Sequence, residues 1–399
     1  MPTVAIIGTL DTKGEEFGYL ADLCSERDLD VLMIDVGVFD PEITPDISHD
    51  EVASAAGETI ERLREDRGTA MAALSKGLEL LLPELYAQKR FDGVLSLGGS
   101  GGTALATSGM RALPLGVPKL MVSTMAAGDV SDYVGTSDIL MMPSIVDVAG
   151  LNAISRTVFA RATSAMAGML SHPLDAEESE RPLVAATMFG VTTPCVDKAA
   201  SLLEEAGYDV LVFHATGAGG KTMERLIRDG YISAVADLTT TEWCDELVGG
   251  VLSAGPHRLE AAARAGIPQV VSVGALDMVN FGAPRTVPER FSSRHFYPHN
   301  PQVTLMRTTV EENRSLGLIL AQKLNEATAP AVVLLPERGV SALDAEGAPF
   351  RDPQADEVLF ASLEEGLTNE LVTLHRVDAH INDPGFASRA VRELINLMK

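Results

Sequence analysis

The chain has 399 residues, more than one ordinary hydrophobic core accommodates, so two domains are expected. Apolar residues make up 46% and charged ones 22%, which excludes a disordered chain; 31 Lys and Arg against 56 Asp and Glu leave a formal charge of -25, a sign that repels phosphate backbones and excludes nucleic acid as a general partner. Cys24, Cys195 and Cys244 form no C-x-x-C pair and no apolar run approaches the length of a membrane span, which together point to a cytoplasmic protein without disulfides, zinc knuckle or membrane partner.

In chain order, strand-like runs alternate with helix-like segments, the pattern of a mostly parallel sheet covered on both faces. The first half reads "TVAIIG", a helix around Glu15–Arg27, "VLMIDV", two helices across Asp50–Arg90, "FDGVLSLGG", a helix from Thr103 and "PKLMVS". The methionines of "ILMMPS" read as core filler, and Arg156 and Arg161 as groups on a helix surface. The acidic, proline-containing "SHPLDAEESER" is the expected connection, dividing the chain into domains 1–178 and 179–399.

The second half restarts at "PLVAATMFG" and continues with a helix around Pro194–Ala206, "DVLVFH", a helix from Lys221, "YISAVADLTT" and "PQVVSVGA". "VAIIG…LDVLMID" answers "VAATMFG…YDVLVFH", and "GVPKLMVS" answers "GIPQVVSVG", so a duplicated unit is expected: α/β, two Rossmann-like doubly wound parallel-sheet domains. Leu276 to Gln302 reads as a long functional loop, followed by "VTLMR", a helix from Thr309, "PAVVLLP", a further helix, "LVTLHRV" and an amphipathic helix from Pro384 that packs back on one of the halves.

In open parallel sheets ligands bind beyond the carboxyl ends of the strands, and in a chain this acidic an anion must be held by local devices. "GTLDTKG" (Gly8–Gly14) offers hydroxyl and ammonium donors from Thr9, Thr12 and Lys13, with Asp11 to accept from a ribose or hold a cation; the alternative is a helix start capped by Thr12. "GGSGGT" offers Gly98, Gly99, Ser100, Gly101, Gly102 and Thr103 at a helix N-terminus, where bare amides can cradle a phosphate or carboxylate. "HATGAGGKT" matches a loose P-loop, but it follows the second strand of its half, so it reads as an anion-binding turn formed by His214, Thr216, Gly217, Gly219 and Gly220. Asp237, Glu242, Asp277 and His299 are candidates for metal or acid–base work, although their spacing fits no zinc pattern and such residues are commonly caps; the metal is left undetermined.

Seven ordered motifs, "VAIIGTLDTKGEE", "LSLGGSGGT", "FHATGAGGKTME", "DLTTTE", "GALDMVNFG", "HNPQVTLMRTT" and "DAHINDPGFA", make the chain resemble the ATP-binding N-terminal domain family of the tomato mosaic virus resistance protein and its bacterial relatives. The resemblance implies a pair of Rossmann-like subdomains with a nucleotide in the cleft between them, and hence ATP, with Mg2+, as the expected cofactor. It places the phosphates on Gly98 to Thr103, with Thr9, Thr12 and Lys13 nearby. The antiviral role of the plant protein is not carried over. Two other readings are an enzyme acting on a small carboxylated or phosphorylated substrate through Asp237, Glu242, Asp277 and His299, and a nucleotide-gated binding or oligomerisation module; a homodimer is the expected assembly.

Overall fold

The computed structural model describes residues 1–172 and 181–399. The chain forms two compact units, Met1–Glu177 and Glu178–Lys399, and the expected linker and domain boundary lie outside the described residues. Among the described residues no helix is long and apolar enough to cross a membrane.

The first unit runs β1 (Thr3–Gly8), α1 (Gly14–Ser25), β2 (Asp30–Asp35), α2 (His49–Ala55), α3 (Ile60–Leu63), α4 (Arg67–Ala87), β3 (Gly93–Gly98), α5 (Ser100–Ala112), β4 (Lys119–Ser123), α6 (Ser131–Val134), β5 (Leu140–Pro143) and α7 (Ala153–Ser171). Its five strands are parallel, in the order β2-β1-β3-β4-β5. Val4, Ala5, Ile6 and Ile7 of β1 are fully buried, because helices cover both faces: Leu74, Leu78 and Leu105 pack on one, Phe17, Phe159 and Met166 on the other. Side chains that satisfy free helix-end amides start the helices; Asp66 accepts from Thr69 N at the head of α4, and Ser48 and Asn152 form capping boxes on α2 and α7. The methionines of "ILMMPS" lie on a short edge strand, β5, that pairs with β4; Met141 and Met142 are half-buried and pack against the core on the sheet's two faces, as filler.

The second unit runs β6 (Leu183–Met188), α8 (Thr193–Glu205), β7 (Asp209–His214), α9 (Ala218–Arg228), β8 (Ala234–Thr239), α10 (Glu242–Val248), α11 (Ala261–Ala265), β9 (Gln269–Gly274), β10 (Met278–Phe281), β11 (Phe296–Asn300), β12 (Val303–Arg307), α12 (Val310–Leu324), β13 (Ala331–Pro336), α13 (Pro353–Gly366), β14 (Val372–Val377) and α14 (Pro384–Leu397). Its main sheet is parallel, in the order β14-β13-β9-β8-β6-β7. Taken from each unit's first strand, the order is second-first-third-fourth-fifth in both, with one strand added in the second unit. The stretch expected to be a structureless loop instead contributes β10 and β11, which pair antiparallel with β12. α14 closes the second unit's own core, with Phe386, Ala390 and Leu394 packed among Val196, Ala199 and Leu203 of α8.

Candidate functional site

Strand order reverses between β1 and β3, so the loops that leave these two strands diverge and open a crevice at their carboxyl ends. A cavity of about 520 Å³ occupies it, a size within the range of small-molecule sites. One wall is the start of α5, where Gly99, Ser100, Gly101 and Gly102 line the cavity. The amides of a helix's first turn have no intrahelical acceptor, and with three glycines in four residues the turn itself contributes no side chain but that of Ser100. The rest of the lining is largely apolar, with Val38, Phe39, Leu63, Met71 and Leu74; Met71 lies beside Gly101, its Cε 3.8 Å from where a Cβ there would be.

The other sequence-predicted groups of the first unit divide between cavity and core. Gly98 is buried, and a Cβ on it would lie 3.1 Å from Gly102 Cα, so its bareness serves the strand-to-helix packing. Thr103 is fully buried; its hydroxyl reaches Gly99 O at 2.7 Å and Ser123 Oγ at 2.6 Å and so braces the turn from inside. Thr9, Asp11, Thr12 and Lys13 all line the cavity. Thr12 Oγ1 donates to the Thr9 hydroxyl at 3.1 Å, and the cap position of α1 belongs to Lys13 rather than Thr12. The Lys13 ammonium donates to Val148 O, which anchors it at the edge of the crevice. Asp11 Oδ2 accepts from Val38 N and Phe39 N, both at 3.1 Å, while its Oδ1 is buried without a hydrogen-bond partner.

Two arginines that no sequence motif marks complete the cavity. Arg64 donates to Val38 O at 2.6 Å and lies over the Phe39 ring, 5.8 Å from its centroid. Arg67 is exposed, and its Nη2 comes within 3.6 Å of where a Cβ on Gly101 would be. Arg67 is the first residue of α4, where a cation opposes the helix dipole. That unfavourable placement is the one signal the sequence carried for it.

At the second unit's β6–β8 switch point Thr187, Thr192, Thr239 and Thr240 are fully buried. They fill it: Thr192 Oγ1 pairs with Thr239 Oγ1 at 2.8 Å, Thr187 Oγ1 donates to Asp237 at 2.7 Å and Thr240 Oγ1 donates to Ser272 O at 3.0 Å. The glycine turn after β7 is filled as well. Gly217 N and Gly220 N donate to Glu242 Oε1 at 2.7 and 3.0 Å, so these amides already hold an anion, a carboxylate of the same chain. Gly219 carries no side chain because a Cβ there would lie 1.9 Å from His214 O. His214 is exposed with its ring against Phe189, and Thr216 Oγ1 turns back to His214 O.

The four acid–base candidates do not converge. Asp237 and Glu242 both clasp Arg258, a fully buried side chain: Arg258 donates to Asp237 Oδ2 at 2.5 Å and Oδ1 at 2.7 Å, and to Glu242 Oε2 at 2.8 Å. Glu224 joins them, 3.3 Å from Arg258 Nη1, and burial raises its carboxyl above the usual range. Asp277 belongs to a second buried cluster with Ser341, Arg307, Asp344 and Asp356, and its carboxyl is pushed up to about 7, chiefly by burial. His299 lies exposed on β11. Among the described residues no three His, Cys, Asp or Glu side chains are grouped to hold a metal ion.

Two doubly wound parallel sheets in one chain, one with a glycine-walled crevice and one with its switch point filled, define a two-domain α/β protein of Rossmann-like architecture. Residues 2–175 match the N-terminal domain, and residues 181–398 the C-terminal domain, of the group described as Uncharacterised protein family (UPF0261), and the chain belongs to that family. It is 50% identical to a UPF0261 protein of Clostridium tetani over 99% of both chains, and 49% identical to one of Rhizobium meliloti over 98% of both. It is also 42% identical to the tomato protein ToMV susceptible protein tm-1(GCR26) and 41% identical to ToMV resistance protein Tm-1(GCR237), over 99% of this chain but 56% of each tomato protein.

Proposed function

We propose that the first unit binds a nucleoside triphosphate, ATP, with its phosphates on the start of α5 and its base against the apolar lining. The reading is carried by one observation: bare glycine amides, the Arg67 guanidinium and apolar side chains line the same cavity of about 520 Å³. Anions favour a helix N-terminus, and a guanidinium pairs with phosphate through charge-assisted hydrogen bonds. Asp11 also lines the cavity, and its Oδ1 is a buried acceptor without a hydrogen-bond partner, which a small side-chain rotation would offer to a ribose hydroxyl or a water held by Mg2+.

The enzyme reading built on Asp237 and Glu242 is the weaker one, since Arg258 engages both carboxylates in the core. The deciding experiment is isothermal titration of the full chain with ATP, ADP and AMP, alone and with Mg2+. Gly101→Leu, which fills the mouth of the cradle, should abolish ATP binding without unfolding the protein. Wild-type protein that binds no nucleotide at millimolar concentration would end the proposal. Phosphate release then separates a hydrolase from a nucleotide-gated binder.

A further inference from the structure

A second cavity, of about 490 Å³, lies at the carboxyl ends of β4 and β5, lined by Ser123, Thr124, Ala127, Pro143, Ile145 and Asp147 among others. It adjoins the glycine turn: a Cβ placed on Gly99 would lie 3.8 Å from Thr124 Oγ1. Two features set it apart from an ordinary loop hollow. Ile145 is 72% exposed and sits at a φ of +67°, a conformation that costs a β-branched residue free energy and exposes its side chain as well. The Ser144 hydroxyl holds this shape by donating to Val146 O at 2.6 Å, across Ile145. Asp147 is exposed and, among the described residues, has no hydrogen-bond or ion-pair partner, while Lys13 is turned to the carbonyl of the next residue, Val148.

We propose that this cavity is a binding site for a small amine, with its ammonium group on Asp147 and its hydrocarbon body against Ala127, Pro143 and Ile145. Asp147 is the one ionisable group among the cavity's lining residues, so the site selects a cation over its neutral and anionic isosteres. A strained, outward-facing isoleucine gives the hydrocarbon part an apolar surface, and the hydroxyl of Thr124 lies beside Gly99, a residue of the first cavity's wall. The site does not depend on the nucleotide reading, and its variants lie outside the glycine turn.

The test is methyl NMR of the full chain, following Ile145 and Thr124 during titration with butylamine, butanol and butyrate. Butylamine should shift both signals saturably, more tightly than butanol, with butyrate inert. Asp147→Asn should weaken butylamine roughly tenfold, the loss of one charge-assisted hydrogen bond, and leave ATP titration unchanged. Unmoved Ile145 and Thr124 signals, or an amine affinity that Asp147→Asn leaves intact, would overturn the proposal. A protein that binds butylamine in this way but no nucleotide would retain this site and lose the function proposed above.

Discussion

Glu242 places one carboxylate oxygen 2.7 Å from the main-chain nitrogen of Gly217, across 25 residues of chain, and the other 2.8 Å from Arg258 Nε. The turn that spells like a phosphate loop is therefore a socket for a side chain. Removing the carboxylate with Glu242→Ala leaves Arg258 and two amides without it in a dry interior, and the expected cost is about 3–5 kcal/mol. Urea denaturation should show that loss. If the turn served a ligand instead, the variant would be freed to bind phosphate, and added phosphate would restore the midpoint; no such rescue is expected.

A filled second socket also sets the stoichiometry. One nucleotide per chain is the expected endpoint of titration, since the crevice between β1 and β3 is open and its counterpart between β6 and β8 is closed by threonine hydroxyls. A measured value of two sites per chain would contradict this assignment.

Arg67 provides the sharpest test of where the phosphates lie. It is exposed and lies beside Gly101, so nothing in the fold requires its charge. Arg67→Ala should leave the melting temperature within a degree or so of wild type while weakening ATP roughly tenfold or more. The loss should shrink in high salt, because an exposed ionic contact is screened. A variant that melts early, or binds ATP as tightly as wild type, would move the phosphates elsewhere.

Strand and helix positions in the parallel sheets were legible because fully buried strands such as "VAIIG" read as unbroken apolar runs. The glycine turn at the head of α5 was legible as a motif, but the resemblance pointed to a cleft between domains, whereas the cavity at that turn is lined by first-unit residues alone; three glycines at the head of α9 hold a side chain of the same chain instead. Side-chain destinations were not. Thr103 and Ser100 stand in one motif, yet the first is fully buried and the second exposed, a difference of helix phase that spacing alone does not settle. Asp35 ends β2, where Rossmann folds place the acid that binds ribose. Here Leu10 N, Gly37 N and His49 Nδ1 occupy its carboxylate at 3.1, 2.8 and 2.8 Å. Arg258 was invisible because its three acidic partners come from α9, the end of β8 and the start of α10, and tertiary folding alone unites them.

Gly37 links that buried pair to the cavity. A Cβ on Gly37 would lie 2.6 Å from Asp11 Cγ, so Gly37→Ala displaces the carboxylate that holds Val38 and Phe39 in the wall. The expected result is a protein destabilised by about 1–3 kcal/mol with weakened nucleotide binding. Asp11→Asn keeps the shape and should affect stability less than binding. Equal effects of both variants on stability, with binding untouched, would remove Asp11 from the site.

The Asp277 cluster makes stability depend on pH in a definite direction. Burial, reinforced by the Asp344 charge and opposed by Arg307, pushes the Asp277 carboxyl from 3.8 up to about 7; burial and Asp344 push Asp356 up to about 8. Between these values and the ordinary carboxylate range the folded chain binds protons that the unfolded chain has already released. Stability contributed by these groups therefore falls as pH rises from roughly 4 to 8. Asp277→Asn removes one of the titrating groups while keeping an oxygen to accept from Ser341, whose hydroxyl now donates at 2.8 Å. The difference in urea midpoint between variant and wild type should shift in the variant's favour as pH increases across that window. Parallel curves for the two proteins would mean that Asp277 titrates alike in the folded and unfolded chains.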